Sequence, residues 1–303
     1  MSSTIESPPV PFKERFAVGL LKASACLPLG VSRVIGAMVG QIAYWMKGRM
    51  YKVTEENLSL CFPQMPMAER QALVRNSLIE TSKTMMETGA VWLRDYHWVK
   101  SHIRQVYGHE ILQDAIDDDR GVILLAPHLG NWEVLGLYVA EFTDLTCLYK
   151  PQDMTTLEPI IRNSRERAGA KVVPTNRKGV VRLLKVMKSG GFTAILPDQI
   201  PDTSGGAFAP FYGVPALTMT LVNNLRERSD CLVLAAYAKR VPSGFDIHIK
   251  HADEQIDSSD EAEALAALNR TVESCVNDIP EQYQWEYKRF RKQPQGLPKR
   301  YKK

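Results

Sequence analysis

Cysteine is scarce and dispersed in this chain: Cys26, Cys61, Cys147, Cys231 and Cys275 stand far apart, with no Cys-x-x-Cys pair. An odd, scattered set argues against a disulfide framework and favours a reducing compartment. No His or Cys sits at zinc-ligand spacing, so no metal site is expected. A long apolar run is missing as well. Residues 16–46 are rich in aliphatics, but Lys22, Pro28 and Arg33 interrupt them. The longest uncharged piece, residues 34–46, has 13 residues, where a spanning helix needs about 20. No small-residue cleavage site follows a convincing apolar core, so a secretory signal is not expected. Internal repeats, low-complexity tracts and patches of aromatics among base-reading side chains are absent too. Repeat architectures and nucleic-acid partners are thereby disfavoured.

What is present suits a folded enzyme-sized chain. Its 303 residues could form one large domain or two small ones, and an apolar fraction of 45% supplies ample core. The net charge of +4 is uneven: "YKRFRKQPQGLPKRYKK" carries eight of the 38 basic residues and no acid. Such a tail suits an anionic partner such as a membrane surface, an acidic protein or nucleic acid; a solvated, partly disordered end is the alternative reading. Residues 16–46 read as two apolar helices broken at "LPLG". They could lie in a membrane interface with Tyr44, Trp45, Lys47 and Arg49 at headgroup level, or pack as a hairpin on the protein body. The expected division is a helical membrane-associating part over residues 1–50 and the main domain over 51–303.

Residues 67–95 have helical spacing of Leu73, Ile79, Met86 and Val91. Short apolar runs follow at 121–126, 145–149, 171–173, 192–196 and 231–238, with amphipathic segments at 132–142, 155–168, 177–189 and 217–229 between most of them. This alternation predicts an α/β fold, a central and largely parallel sheet flanked by helices. Residues 245–250 read as an added strand, antiparallel to its neighbour, and a final helix is expected from about 258 to 277.

The stretch "LLAPHLGNWE", residues 124–133, carries the chemistry. "GVILLAP" has the pattern of a buried strand, ended by Pro127, and Asn131 is a good N-cap for the helix that "WEVLGLYVAEF" begins. His128 then lies at the carboxyl end of a strand, the edge where open α/β sheets bind ligands. Glu133 falls in the first helical turn, where the strand-to-helix bend allows it to converge on His128. A histidine whose other nitrogen is held by a carboxylate is a general base able to deprotonate an alcohol. Read from these two residues alone, a structural pairing stays open beside catalysis. Asp198 and Gln199 follow "FTAIL" at another carboxyl end and are expected at the same cleft or in a capping turn. Arg162, Arg165 and Arg167 offer anion contacts or a solvated face. "DTSGGAFAPFYG" lacks the lysine and spacing of a phosphate loop and reads as an active-site loop whose Phe208, Phe211 and Tyr212 could contact a ligand, or as ordinary loop packing. Tyr283 and Trp285 read as core anchors.

"APHLGNWE" resembles the His-x4-Asp/Glu motif of the glycerolipid acyltransferase superfamily. Its flanks resemble the late acyltransferases of lipid A biosynthesis, the lauroyl and myristoyl transferases. "ENLSLCFP" is similar to the family's early Asn…Phe-Pro block, "LYKP" occupies its Tyr-Arg-Pro block, and "LPDQ" and "PFYGVPALTMT" resemble later blocks. "PEQYQWEYKRFRKQPQGLPKRY" resembles the closing signature, so the likeness runs through nearly the whole chain. It implies transfer of a fatty acyl chain from an acyl carrier protein thioester to a hydroxyl of a lipid A precursor. The expected place is the cytoplasmic side of the inner membrane, and no cofactor is implied. His128 would be the base and Glu133 its orienting carboxylate. Asn131, Lys150, Arg162, Arg165, Arg167, Asp198 and Gln199 would contact substrate. Lys150 departs from the block's arginine: it keeps the charge and loses the bidentate fork. A lysophospholipid or other glycolipid acceptor, or a non-catalytic lipid-binding role, are the competing readings.

Overall fold

A computed structural model describes residues 11–150 and 154–301. Pro151 of the "LYKP" block, residues 302–303 of the basic tail and residues 1–10 of the amino-terminal part lie outside the described residues. The chain opens with helices α1 (Phe12–Cys26), α2 (Leu29–Met46), α3 (Arg49–Cys61), α4 (Met67–Leu93) and α5 (Tyr96–Ser101). Then come β1 (Ile103–Tyr107), α6 (His109–Asp117), β2 (Gly121–Leu125), α7 (Trp132–Phe142), β3 (Thr146–Tyr149), α8 (Glu158–Glu166) and β4 (Lys171–Pro174). The remainder is α9 (Arg177–Lys188), β5 (Phe192–Ile195), β6 (Gly206–Phe211), β7 (Val214–Met219), α10 (Leu221–Arg228), β8 (Cys231–Val241), β9 (Gly244–His251) and α11 (Glu261–Asp278).

The central sheet has the strand order β1-β9-β8-β2-β5. All its neighbours are parallel except β8 and β9, which form the antiparallel pair expected for residues 245–250. A parallel bridge between Leu145 and Phe192 joins the β3-β4 pair to the β5 side. The strand β2 is buried throughout because both its faces are covered. Ile123 and Leu125 join the core shared with α11, while Val122 and Leu124 join the one shared with α7.

Two expectations need correction. Residues 217–229 are not one helix: β7 pairs antiparallel with β6 before α10 begins at Leu221. The glycine-rich segment read as a loop therefore supplies the β6 arm of a hairpin. The strand β1, not anticipated, is short, and its Arg104, Gln105 and Tyr107 face outward, which dilutes the apolar signal.

The break at Leu27 and Pro28 separates α1 from α2 where the sequence placed it. Helix α2 approaches α4 closely through small residues. A Cβ on Gly40 would lie 2.4 Å from the Ile79 Cα, and one on Gly36 2.7 Å from the Lys83 Cα. The opposite face of the hairpin is apolar and uncovered: Phe12, Phe16 and Leu20 on α1, and Val34, Met38, Ile42 and Trp45 on α2, are all exposed. Among the described residues no helix is long and apolar enough to cross a membrane.

Candidate active site

Strands β2 and β5 run parallel with Leu125 beside Ile195, and the Ala126 amide extends the ladder to the Ile195 carbonyl at 2.9 Å. Three residues beyond each partner lie His128 and Asp198. The matched register thus delivers an imidazole and a carboxylate side by side at the carboxyl edge of the sheet. The Asp198 Oδ1 lies 2.8 Å from His128 Nδ1, and its Oδ2 accepts the His128 backbone N–H at 2.8 Å. Asp198 is almost fully buried. Burial pushes its pKa up, but the adjacent His128 ring and its hydrogen bonds outweigh that and hold the carboxyl below its usual range. On the other side of the ring, Gln199 Nε2 donates to His128 Nε2 at 3.1 Å and shares a 3.3 Å bond with the Gln284 Oε1. With an amide donor at Nε2 and a carboxylate at Nδ1, the ring carries its proton on Nδ1 and offers a lone pair to the cleft. The Trp132 ring meets the imidazole edge-on at 4.8 Å between centroids.

The loop between β2 and α7 is fixed by backbone bonds. Gly130 has φ +61°, and a Cβ there would sit 2.0 Å from the Ala238 carbonyl, so only glycine permits this approach. Its N–H donates to the Gln282 carbonyl at 3.0 Å, the Asn131 N–H to the Ala238 carbonyl at 2.9 Å, and the Gln284 N–H to the His128 carbonyl at 3.0 Å. Residues 280–290 therefore clamp the loop, anchored by the buried Tyr283, Trp285 and Phe290. Asn131 caps α7 by accepting the Val134 N–H, as its position suggested, and it is otherwise committed inward. Its Nδ2 donates to Glu87 Oε2 at 3.0 Å, so the side chain is removed from the substrate contacts proposed for it.

Glu87 is the centre of an ion cluster that no local pattern revealed. Arg33 on α2 and Arg240 on β8 each place Nε 2.7 Å from its Oε1, and Arg240 Nη1 also reaches Glu80 Oε2 at 2.7 Å. Burial pushes the Glu87 pKa up, yet the two guanidinium groups more than offset this and the carboxyl stays below its ordinary range. The cluster ties α2, α4 and β8 to the His128 loop through residues more than forty positions apart in the chain. Only a buried-charge pattern across elements could have exposed it.

The other sequence candidates divide. Glu133 does not touch His128; it takes a bidentate fork from Arg165, with Nη2 to Oε1 at 2.6 Å and Nε to Oε2 at 3.1 Å. The reason lies in the cap. With Asn131 starting α7, Glu133 is its second residue and points toward α8, while β5 already supplies His128 with a carboxylate. Arg165, expected as a substrate contact, is thus held by Glu133 and lies 5.4 Å from the Tyr149 ring centroid. Arg167 follows α8 and donates to the carbonyls of Val91, Trp92 and Arg94 at the end of α4, which takes it out of the cleft. Arg162 is exposed and paired with Glu166 at 3.1 Å. Lys150 follows β3 at the same sheet edge and is exposed. Sequence reasoning missed Gln284 and Glu286. The Glu286 carboxyl accepts from Ser77 at 2.8 Å, Thr81 at 2.7 Å and Thr54 at 3.3 Å, and burial pushes its pKa up against those hydroxyls.

Two hollows meet at the Trp132–Glu133 pair. One is an apolar cleft between α7, α8 and the sheet, lined by Leu124, Gly136, Val139, Cys147, Leu148 and Ala194 among others. The other is a polar groove bordered by His128, Gln284 and the α4 residues Thr81, Thr84, Met85 and Thr88. A neighbouring hollow, sharing Thr81, Met85 and Gln284, reaches Arg49 and Glu286. Phe208, Phe211 and Tyr212 line none of these. Phe211 is buried against Tyr283 and Phe290, and Tyr212 packs on Phe62 and Trp285.

A family model for bacterial lipid A biosynthesis acyltransferases matches residues 9–292. The chain belongs to that family. A lipid A biosynthesis lauroyltransferase of Escherichia coli (strain K12) is 28% identical over 290 residues, 94% of this chain and 93% of the relative. A palmitoleoyltransferase of the same organism is 27% identical over 288 residues, 93% and 92% of the two chains. A myristoyltransferase, also from that strain, is 23% identical over 252 residues, 82% and 77% of the two.

Proposed function

We propose that this chain is an O-acyltransferase that moves a fatty acyl chain from an acyl carrier protein thioester to a hydroxyl of a lipid A precursor. The observation that carries the reading is His128, held by Asp198 on the wall of a polar groove that meets an apolar cleft at the neighbouring Trp132 and Glu133. The acyl chain would lie in the cleft and the sugar headgroup in the groove. The acceptor hydroxyl displaces the Gln199 amide from His128 Nε2. As its oxygen attacks the thioester carbonyl, His128 takes the proton and Asp198 stabilises the imidazolium. Collapse of the tetrahedral intermediate breaks the C–S bond, and the imidazolium returns the proton to the departing thiolate. Asp198 acts through His128 and is a positioning residue. Arg165, fixed by Glu133 at the boundary of the two hollows, supplies positive charge for the developing oxyanion.

The exposed apolar stripes of α1 and α2 support attachment to a lipid surface, in this reading the cytoplasmic side of the inner membrane. The test is transfer by the purified enzyme from an acyl carrier protein thioester, with a lipid A precursor and a lysophospholipid offered as competing acceptors. Acylated lipid A precursor is the expected product. Exclusive acylation of the lysophospholipid, or bound lipid without any transfer, would overturn the reading in favour of another acceptor or a binding protein.

A further inference from the structure

Helix α9 carries Arg177, Lys178, Arg182, Lys185 and Lys188 in 12 residues and has no acidic residue. All five are exposed, and among the described residues none has an ion-pair partner. At 100° per residue they fall on one arc of about 140°, opposite Gly179, Leu183 and Met187, which are buried. The arrangement works against the helix itself. Arg177 and Lys178 occupy its first turn, the positive end of the macrodipole, and the pairs Lys178/Arg182, Arg182/Lys185 and Lys185/Lys188 bring like charges together. Nothing in the fold compensates for this within the helix, apart from the Asn176 cap on the Gly179 N–H at 3.0 Å.

The position of α9 gives the stripe a use. The helix starts just after β4, at the same carboxyl edge of the sheet as His128. A Cβ on Gly179 would lie 1.9 Å from the Pro174 carbonyl and 3.3 Å from Leu148 Cδ2, and Leu148 lines the apolar cleft. The first turn of α9 is thus packed directly behind the cleft wall. Val181 is the one exposed large apolar side chain on the helix, so this face has no wedge to insert among lipids, unlike α1 and α2. A cationic face without an apolar stripe fits an acidic protein surface.

We infer that the exposed face of α9 is the docking surface for the acidic carrier protein that presents the acyl thioester to the apolar cleft. The inference rests on the donor assigned under the proposed function. The test uses the full chain carrying Lys178→Glu, Arg182→Glu and Lys185→Glu, all exposed, with circular dichroism to confirm an unchanged fold. Binding of holo acyl carrier protein is measured directly, alongside transfer from the carrier thioester and from an acyl-pantetheine of the same chain length. At low ionic strength the variant should bind the carrier at least about tenfold more weakly and show a matching rise in KM for the carrier donor. The deficit should shrink as salt is raised, because screening acts over about 8–10 Å. Transfer from acyl-pantetheine should be unaffected.

Carrier binding that depends on α9, in a wild-type chain that acylates no lipid A precursor, would uphold the docking surface and sink the acceptor assignment. Unchanged carrier affinity and KM would overturn the inference. So would loss of binding to phosphatidylglycerol vesicles with carrier kinetics intact, which would make the face a membrane contact.

Discussion

Replacing Asp198 by asparagine separates the two carboxylates that could serve His128. The amide has nearly the same shape, and its oxygen can still accept the His128 backbone N–H, now bonded to Oδ2 at 2.8 Å. Its NH2 group then faces Nδ1, which at present lies 2.8 Å from Oδ1. A donor there requires Nδ1 to accept, so the ring proton moves to Nε2 and the lone pair leaves the cleft. The equivalent exchange in a serine protease triad costs about 10⁴ in kcat, and a loss of about 10³–10⁴ is expected here, about 4–5.5 kcal/mol of transition-state stabilisation. The fold should persist, since the site stays packed and bonded, and a thermal melt checks that. Single-turnover transfer rates then provide a cycle. Asp198→Asn added to His128→Ala should cost almost nothing further, because both act through one base. Glu133→Gln added to His128→Ala should lower the residual rate again, because Glu133 serves Arg165. The reverse pattern, with Glu133 silent and Asp198 additive in the His128→Ala background, would refute the assignment.

Gly136 lines the apolar cleft, and a Cβ there meets nothing within 4 Å. Gly136→Met should therefore fold normally and shift preference toward shorter chains, by about fourfold in kcat/KM per methylene excluded, from about 0.8 kcal/mol each. Donors of graded length measure it. Glu87→Ala leaves the buried Arg33 without a carboxylate and Arg240 with Glu80 alone, and should cost about 3–5 kcal/mol in denaturant unfolding. Because the folded Glu87 pKa is depressed, its contribution is present above the ordinary carboxylate range near 4.3 and is lost as pH falls through the lower folded value. Glu87→Gln should flatten the acid limb of a stability–pH curve. Met38→Glu with Ile42→Glu, on the exposed α2 stripe, should weaken co-sedimentation with vesicles while leaving transfer to detergent-dispersed acceptor near wild type.

The parts of the site legible from sequence were those written in consecutive residues. "GVILLAPHLGNWE" contains a buried strand, its proline stop and an asparagine cap, and the observed β2 and α7 follow it closely. The partner of His128 was less accessible. Glu133 is near in sequence, but which carboxylate reaches the ring depends on β5 lying beside β2 in matched register, a fact about topology. Asp198 was placed at the right edge for a general reason, its position after a strand, and its contact with the ring needed the sheet order. The Glu87 cluster was invisible, since a glutamate in an amphipathic helix looks the same whether it meets solvent or two arginines. Residues 217–219 misled because "LTM" continues smoothly into the pattern of α10, and only the turn at Tyr212 and Gly213, both with positive φ, folds them back onto β6.

The clamp on the His128 loop has a consequence for biosynthesis. Gln282, Tyr283 and Gln284, which bond to or bridge with Gly130, Leu129 and His128, are translated after every strand and α-helix described above. While those residues are still in the ribosome, the chain segments of β2, β5 and α7 are already made, yet the His128 loop lacks three of its tethers. A nascent chain consequently lacks these backbone tethers on its His128 loop until the carboxyl-terminal segment has left the ribosome, although Asp198 and Gln199 are already in place beside the ring.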